Sequence, residues 1–321
     1  MYALNYDDIG LISRNISGVD SRNLVDTSLS FAGQKLSIPL IASPMPDVCD
    51  GKMAMVLSKL GSYGFIHRFN SIDEQINEYN ISEGNCGVAI GINGDYVERF
   101  TSLYDWGCRS FCIDVANGAN ERVKETVIKL KSLKEDVFLT VGNVATLECF
   151  AWLAQLPIYA IRVGISGGSA CTTRTETGLF YPMASSLLEC SSYSNRSKNR
   201  PIIIADGNIK EPQDMCKALV LGADLGMSGS LFAASEESPA SIMKINGKLL
   251  KTYKGAASFS TQKSVGKKPE YVEGLESLIP YTGSVEKTIK RFRNGLKSSM
   301  SYMNALTLEE YKKNAGWVEI D

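Results

Sequence analysis

Histidine is almost missing: His67 is the only one in 321 residues. No partners cluster with it in the sequence, so a metal site built on it is excluded. The eight cysteines, at positions 49, 86, 108, 112, 149, 171, 190 and 216, lack the close pairing of a zinc site or a small disulfide scaffold, and read as reduced thiols. No apolar run is long enough to span a bilayer, and residues 1–8 lack the basic start and apolar stretch of a secretory signal. An excess of charge of either sign is missing too. With 34 Lys and Arg against 35 Asp and Glu, a net charge of −1 and no long basic run, nothing points to nucleic acid or an anionic membrane as partner. A cytoplasmic enzyme is the expectation, with any phosphate binding local.

What is present suits a large core: 44% hydrophobic and 21% charged residues. Eight short apolar, β-branched segments recur at residues 38–43, 62–66, 87–91, 109–114, 137–142, 159–164, 201–206 and 224–229. Between them, residues 51–60, 97–106, 120–133, 146–156, 183–191 and 212–222 have the length and periodicity of crossover helices. Eight such units predict an α/β (β/α)8 barrel, a TIM barrel, as a single catalytic domain over residues 1–321 with no room for an inserted regulatory domain. In such a barrel the loops after the strand C-termini build the site, and phosphate commonly sits on the loops after strands seven and eight. Those loops here hold Asp206-Gly207 and Gly229-Ser230.

Residues 164–174 (GISGGSACTTR) carry a glycine-rich turn into Cys171, a thiol at a loop end and not inside an apolar run, which marks it as a candidate nucleophile. The other cysteines read as structural. Residues 253–281, with Lys254, Lys263, Lys267, Lys268, Gly255, Gly266, Gly274 and Pro269, have the composition of a long mobile flap at the catalytic face. An amphipathic stretch at 284–300 closes the ring, and the last twenty residues read as a tail packed on the outside or on a neighbour.

Several stretches then match one family: residues 5–9 (NYDDI), 43–45 (SPM), 66–68 (IHR), 142–146 (GNVAT), the Cys171 loop, 205–207 (ADG), 229–232 (GSLF), 236–239 (EESP) and 253–255 (YKG). The chain resembles the IMP dehydrogenase and GMP reductase family of purine nucleotide oxidoreductases in its compact form. The resemblance implies that Cys171 attacks purine carbon 2, that Ser169, Gly207, Gly229, Ser230 and Tyr253 hold the 5′-phosphate, and that Asp206 accepts both ribose hydroxyls. An acceptor-only carboxylate suits a diol, as glycine backbones and hydroxyls suit phosphate. Taken alone, a cap on the next helix is the lesser alternative for Asp206. Ser43, Met45, Asn143, Arg174 and Gly255 fall in the same nucleotide pocket by resemblance, and Asp114, Ala116, Asn117 and His67 on the cofactor side. The implied assembly is a homotetramer, and potassium is a candidate ligand of the carbonyls of Gly164, Ser166 and Cys171. The chain departs from the family pattern at Ser166 and Asn208, where glycine is usual, and at Pro46-Asp47.

Both activities of the family share a cysteine-purine thioimidate. A dehydrogenase hydrolyses it with an Arg-Tyr pair on the flap, but residues 255–272 contain no arginine. A reductase instead expels ammonia and takes hydride from NADPH, and Thr173 and Glu273 occupy the positions the family uses for that work. Residues 114–118 (DVANG) and 180–190 (FYPMASSLLEC) look reductase-like, whereas 273–283 (EGLESLIPYTG) is also similar to some dehydrogenases. The expectation is a GMP reductase, with NADH left open as donor. A compact IMP dehydrogenase and a non-catalytic purine-nucleotide-binding regulator are the alternatives.

Overall fold

The computed structural model describes residues 3–167, 173–193, 200–255, 258 and 276–320. Strand β1 (Ile9–Ser13) leads to the hairpin β2 (Leu29–Phe31) and β3 (Gln34–Leu36). Then strands and helices alternate: β4 (Leu40–Ala42), α1 (Gly51–Lys59), β5 (Tyr63–Ile66), α2 (Ile72–Ile81), β6 (Gly87–Ile90), α3 (Tyr96–Asp105), β7 (Ser110–Asp114), α4 (Glu121–Leu133), β8 (Phe138–Val144), α5 (Leu147–Leu153) and β9 (Ala160–Val163). The short α6 (Thr173–Thr177) precedes α7 (Met183–Ser192), β10 (Ile202–Asp206), α8 (Pro212–Val220), β11 (Leu225–Ser228) and α9 (Ser230–Ala233).

Strands β4 to β11 close into a parallel barrel in the order β10-β11-β4-β5-β6-β7-β8-β9, and every one of the eight expected segments contains one. Their apolar runs are continuous because both faces are covered; β6 and β9 are buried at all positions. The helices pack outside. The six expected crossover helices are present, while α2 is an addition: Ser71 and Glu74 form a capping box, with Ser71 N–H donating to Glu74 Oε2 (2.8 Å) and Glu74 N–H to Ser71 Oγ (3.2 Å).

The hairpin β2–β3 plugs the end of the barrel where the strands begin. Phe31 reaches inside and meets Tyr63 at 5.3 Å and Tyr159 at 5.6 Å between ring centroids, so that end is a packed aromatic core. The opposite mouth is left for chemistry.

One expectation for the C-terminal third is corrected. Residues 253–281 do not leave the barrel simply as a loop: β12 (Ile242–Ile245), β13 (Lys248–Lys254) and β14 (Glu276–Pro280) form an antiparallel sheet in which Tyr253 pairs with Ser277 and Lys254 with Glu276. Cross-strand pairing satisfies backbone groups that a loop of that composition would leave to water. The interval expected to be a mobile flap, 256–275 apart from Ser258, lies outside the described residues. The final residues, expected as a tail packed on the outside or on a neighbour, continue as ordered elements. After α10 (Val285–Tyr302), whose Val285, Ile289, Phe292, Leu296 and Met300 form one buried stripe, α11 (Leu308–Asn314) leads into β15 (Ala315–Glu319). Strand β15 pairs antiparallel with β1, Ile9 opposite Glu319 and Ser13 opposite Ala315, so the end of the chain packs on its own beginning.

Candidate active site

Parallel strands bring their last residues to one rim, and the expected site residues among the described ones stand there. Ser43 and Met45 follow β4, Asp114 ends β7, Asn143 lies near the end of β8, Gly164 follows β9, Asp206 ends β10 and Gly229 follows β11. Tyr253 reaches them from β13. A Cβ on Gly229 would collide with the Tyr253 hydroxyl and would lie 3.0 Å from both Met45 Sδ and Ser43 Oγ, so four predicted residues converge on one small space. Ser43 is 3% exposed and its hydroxyl has no hydrogen-bond partner, a buried polar atom aimed where a ligand would satisfy it. Ser230 opens α9 beside this space, and Gly207 N–H donates to Met227 O at 3.3 Å.

Asp206 is not a helix cap; Glu211 and Asp214 form the capping box of α8. Its Oδ2 instead accepts from Asn143 Nδ2 (2.8 Å), Arg162 Nε (3.0 Å) and Arg162 Nη2 (2.8 Å). All of its side-chain hydrogen bonds fall on that one oxygen, and Oδ1 remains as an acceptor. Arg162 was not anticipated from the sequence. It sits within β9, 6% exposed, and its Nη1 donates to Asp114 Oδ1 at 2.7 Å, so one guanidinium spans from the β10 carboxylate to the β7 carboxylate. Room for it comes from Gly142, opposite in register, where a Cβ would overlap the Arg162 side chain. Burial opposes the Arg162 charge, but Asp206 and Asp114 outweigh it and hold its pKa well above the usual guanidinium range. Burial likewise opposes the Asp114 charge, and Arg162 with Arg68, whose Nε lies 3.5 Å away, holds that carboxyl below its usual range.

The loop after β7 is tied to β8: Asn143 N–H donates to Val115 O (3.0 Å) and Gly118 N–H to Asn143 O (2.8 Å). Ala116 and Asn117 are left exposed at the rim, with Asn117 Oδ1 accepting from Ala119 N–H at 3.1 Å. His67, after β5, accepts at Nδ1 from Phe69 N–H (3.1 Å); burial and then the nearby Arg99 push its pKa down to about 4, so it is neutral at pH 7.

Thr173 opens α6 and its carbonyl accepts from Thr177 Oγ1 (2.6 Å), while the Arg174 guanidinium lies 4.2 Å from the centroid of the Phe180 ring. Cys171, Ser169 and Glu273 lie outside the described residues; Gly255 follows β13 and accepts at its carbonyl from Ser258 N–H at 3.0 Å. The two departures from glycine are accommodated: Ser166 (φ 59°) and Asn208 (φ 57°) both take the left-handed conformation that glycine favours, and Ser166 Oγ donates to Leu179 O at 2.8 Å. Of the carbonyls expected to hold potassium, that of Gly164 accepts from Asn143 Nδ2 (2.8 Å), and that of Cys171 lies outside the described residues. The remaining cysteines match their structural reading, all buried but Cys149, with burial pushing Cys86 and Cys112 up to about 12.

The comparisons agree with this arrangement. The model of the IMP dehydrogenase / GMP reductase domain matches residues 3–321. A GMP reductase of Chromobacterium violaceum is 34% identical over 309 residues, covering 95% of this chain and 94% of that protein. One of Lactobacillus delbrueckii subsp. bulgaricus is 33% identical, covering 98% and 94%. An inosine-5′-monophosphate dehydrogenase of Borreliella burgdorferi is 30% identical, covering 99% and 94%. The barrel, its rim residues and these matches together place the chain in the IMP dehydrogenase / GMP reductase family.

Proposed function

We propose that this protein is a GMP reductase, converting GMP, NADPH and two protons to IMP, NADP and ammonium. The observation that carries the nucleotide half of the reading is Asp206. Its Oδ2 is committed to Arg162 and Asn143 and its Oδ1 is left to accept from a ribose diol, beside a cluster of Ser43, Gly229 and Tyr253 suited to phosphate. Met45, Gly207, Ser230, Asn143, Arg174, Gly255 and Ser169 complete the pocket.

In this reading the Cys171 thiolate adds to carbon 2 of the purine, and the amino group, protonated with the help of Thr173 and Glu273, leaves as ammonia. The Asp114–Asn117 loop would hold the nicotinamide, whose chemistry would be delivery of a hydride to carbon 2. The carbon–sulfur bond then breaks and the thiolate is regenerated. Arg68, ion-paired with Asp114 at 3.5 Å, and the exposed Ala116 and Asn117 fit a ligand on that side of the mouth. His67, its pKa pushed down by burial to about 4, would stand uncharged on the cofactor side.

The choice of reductase rests on residues 255–272, which lack the arginine a water-activating pair needs. Relatives named for both activities keep the dehydrogenase as the second reading. The purified protein mixed with GMP and NADPH is expected to oxidise the cofactor and release IMP and ammonia in equal amounts, with NADH tested alongside. XMP formation from IMP and NAD, with no GMP-dependent oxidation of either reduced cofactor, would favour the dehydrogenase. The reading carries with it one catalytic unit over residues 1–321, a homotetramer measurable by light scattering, and a cytoplasmic site of action.

A further inference from the structure

Lys251 is the one lysine in the sheet beside the mouth that is fully buried, at 1% exposure. A buried ammonium ordinarily sits against a carboxylate. Here its three N–H groups have three close acceptors and none is charged: Ser235 O at 2.6 Å, Ser238 Oγ at 2.7 Å and Ser238 O at 3.0 Å, with Glu236 O further off at 3.4 Å. Ser238 Oγ donates its own hydrogen to Ala233 O (2.8 Å) or Ser235 O (3.1 Å), which leaves it an acceptor for the ammonium. The lysine therefore closes the turn that follows α9, at a desolvation cost that lowers its pKa below the usual amine range.

Lys251 and Tyr253 are two apart on β13 and so point to the same side of the sheet. Lys251 grips the turn at the end of α9, and Tyr253 stands over Gly229 at its start. The two side chains thus fix one strand against both ends of a single turn of helix. We propose that Lys251 is a positioning residue for the nucleotide phosphate: by locking β13 to the 235–238 turn, it sets the place of the Tyr253 hydroxyl against Gly229 and Ser43. This rests on the proposed function only in taking Tyr253 and Gly229 as phosphate contacts.

The test is a double-mutant cycle between Lys251→Met, which keeps the length and loses the donors, and Tyr253→Phe. Affinities for GMP, IMP and inorganic phosphate are read by calorimetry. Lys251→Met is expected to weaken GMP binding about tenfold or more, the scale of one misplaced hydrogen bond to a charged group, with the cofactor KM nearly unchanged. In the Tyr253→Phe background the same change should cost little further, because both act through one contact. A lysine that only holds the fold would lower the melting temperature and leave the affinities of the folded protein alone; that result, or losses that multiply in the double variant, overturns the proposal. If Lys251→Met does not fold, Lys251→Arg is read the same way, with a smaller loss expected. A wild-type chain that binds none of the three ligands would sink the proposed function instead. The positioning claim would then be decided by hydrogen exchange: faster exchange of amides at 229–235 in the Lys251 variant supports it, and unchanged exchange refutes it.

Discussion

At the residue scale the site turns on which oxygen of Asp206 is occupied. Arg162 supplies two of the three donors to Oδ2 and a third bond to Asp114, so its planar fork does what a point charge cannot. Arg162→Lys should keep the charge yet reach only one carboxylate, weakening GMP binding and raising the cofactor KM together, each by about tenfold. An effect on only one of the two ligands, in steady-state kinetics, would show that the bridge does not couple them. His67 gives a second residue-scale prediction. Its pKa falls from 6.5 to about 4 in the fold, so the unfolded chain binds its proton at higher pH and stability should decline as pH drops from about 6.5 towards 4. Denaturant midpoints across that window should fall in the wild type and be flatter in His67→Gln. Asp206 and its neighbours were legible in sequence because they stand at strand ends next to glycine. Arg162 was not, since a single charge inside the apolar run of residues 159–164 gives no sign of what pairs with it until the barrel sets β10 beside β9 and β7 one strand beyond β8.

At the element scale, the last helix is tied to the closed end of the barrel through Asp224. Its carboxylate accepts from Arg200 Nη2 (2.9 Å), Lys312 Nζ of α11 (2.5 Å) and Ile203 N–H (2.9 Å). Burial alone would raise its pKa, but Arg200 and Lys312 bring it down to about 2. A depressed carboxyl stabilises the fold above its unfolded pKa of about 4 and loses that contribution as pH falls towards 2. Asp224→Asn should therefore lower the melting temperature at pH 7 and flatten the acid limb of the stability curve; an unchanged curve would make the triad incidental. Ser71→Ala should cost about 1 kcal/mol by removing the cap of α2, measured by denaturant unfolding. That helix was overlooked although its Ser71/Glu74 pair is a sequence feature. The strands β13 and β14 were hidden for a different reason: lysine, glycine and proline set the composition of 253–281, and only the pairing of its two ends with each other, and of 278–280 with 250–252, makes those ends extended.

At the scale of the whole molecule, the candidate nucleotide pocket draws on β4, β8, β10, β11 and β13 at once, so ligand binding is linked to closure of the barrel. GMP at about a hundred times its Kd should stabilise the chain by roughly 2.7 kcal/mol and raise its melting temperature in one transition. Cys171→Ala should preserve that shift while abolishing turnover; loss of both would mean that the thiol holds the loop and is not only the nucleophile. The eight-fold recurrence of short apolar segments and helical stretches determined the barrel by itself, because strands covered on both faces must be apolar throughout and parallel strands require crossovers. The glycines and polar residues at strand ends determined where the mouth is, since parallel strands deliver their C-termini to one rim. Only the tertiary structure decided that Asp206 offers one oxygen, that Arg162 joins two carboxylates, that Lys251 is caged by carbonyls and that the chain end pairs with its start. Those depend on side chains and backbone groups from strands and turns far apart in sequence, whose distances and desolvation exist only once the barrel has closed.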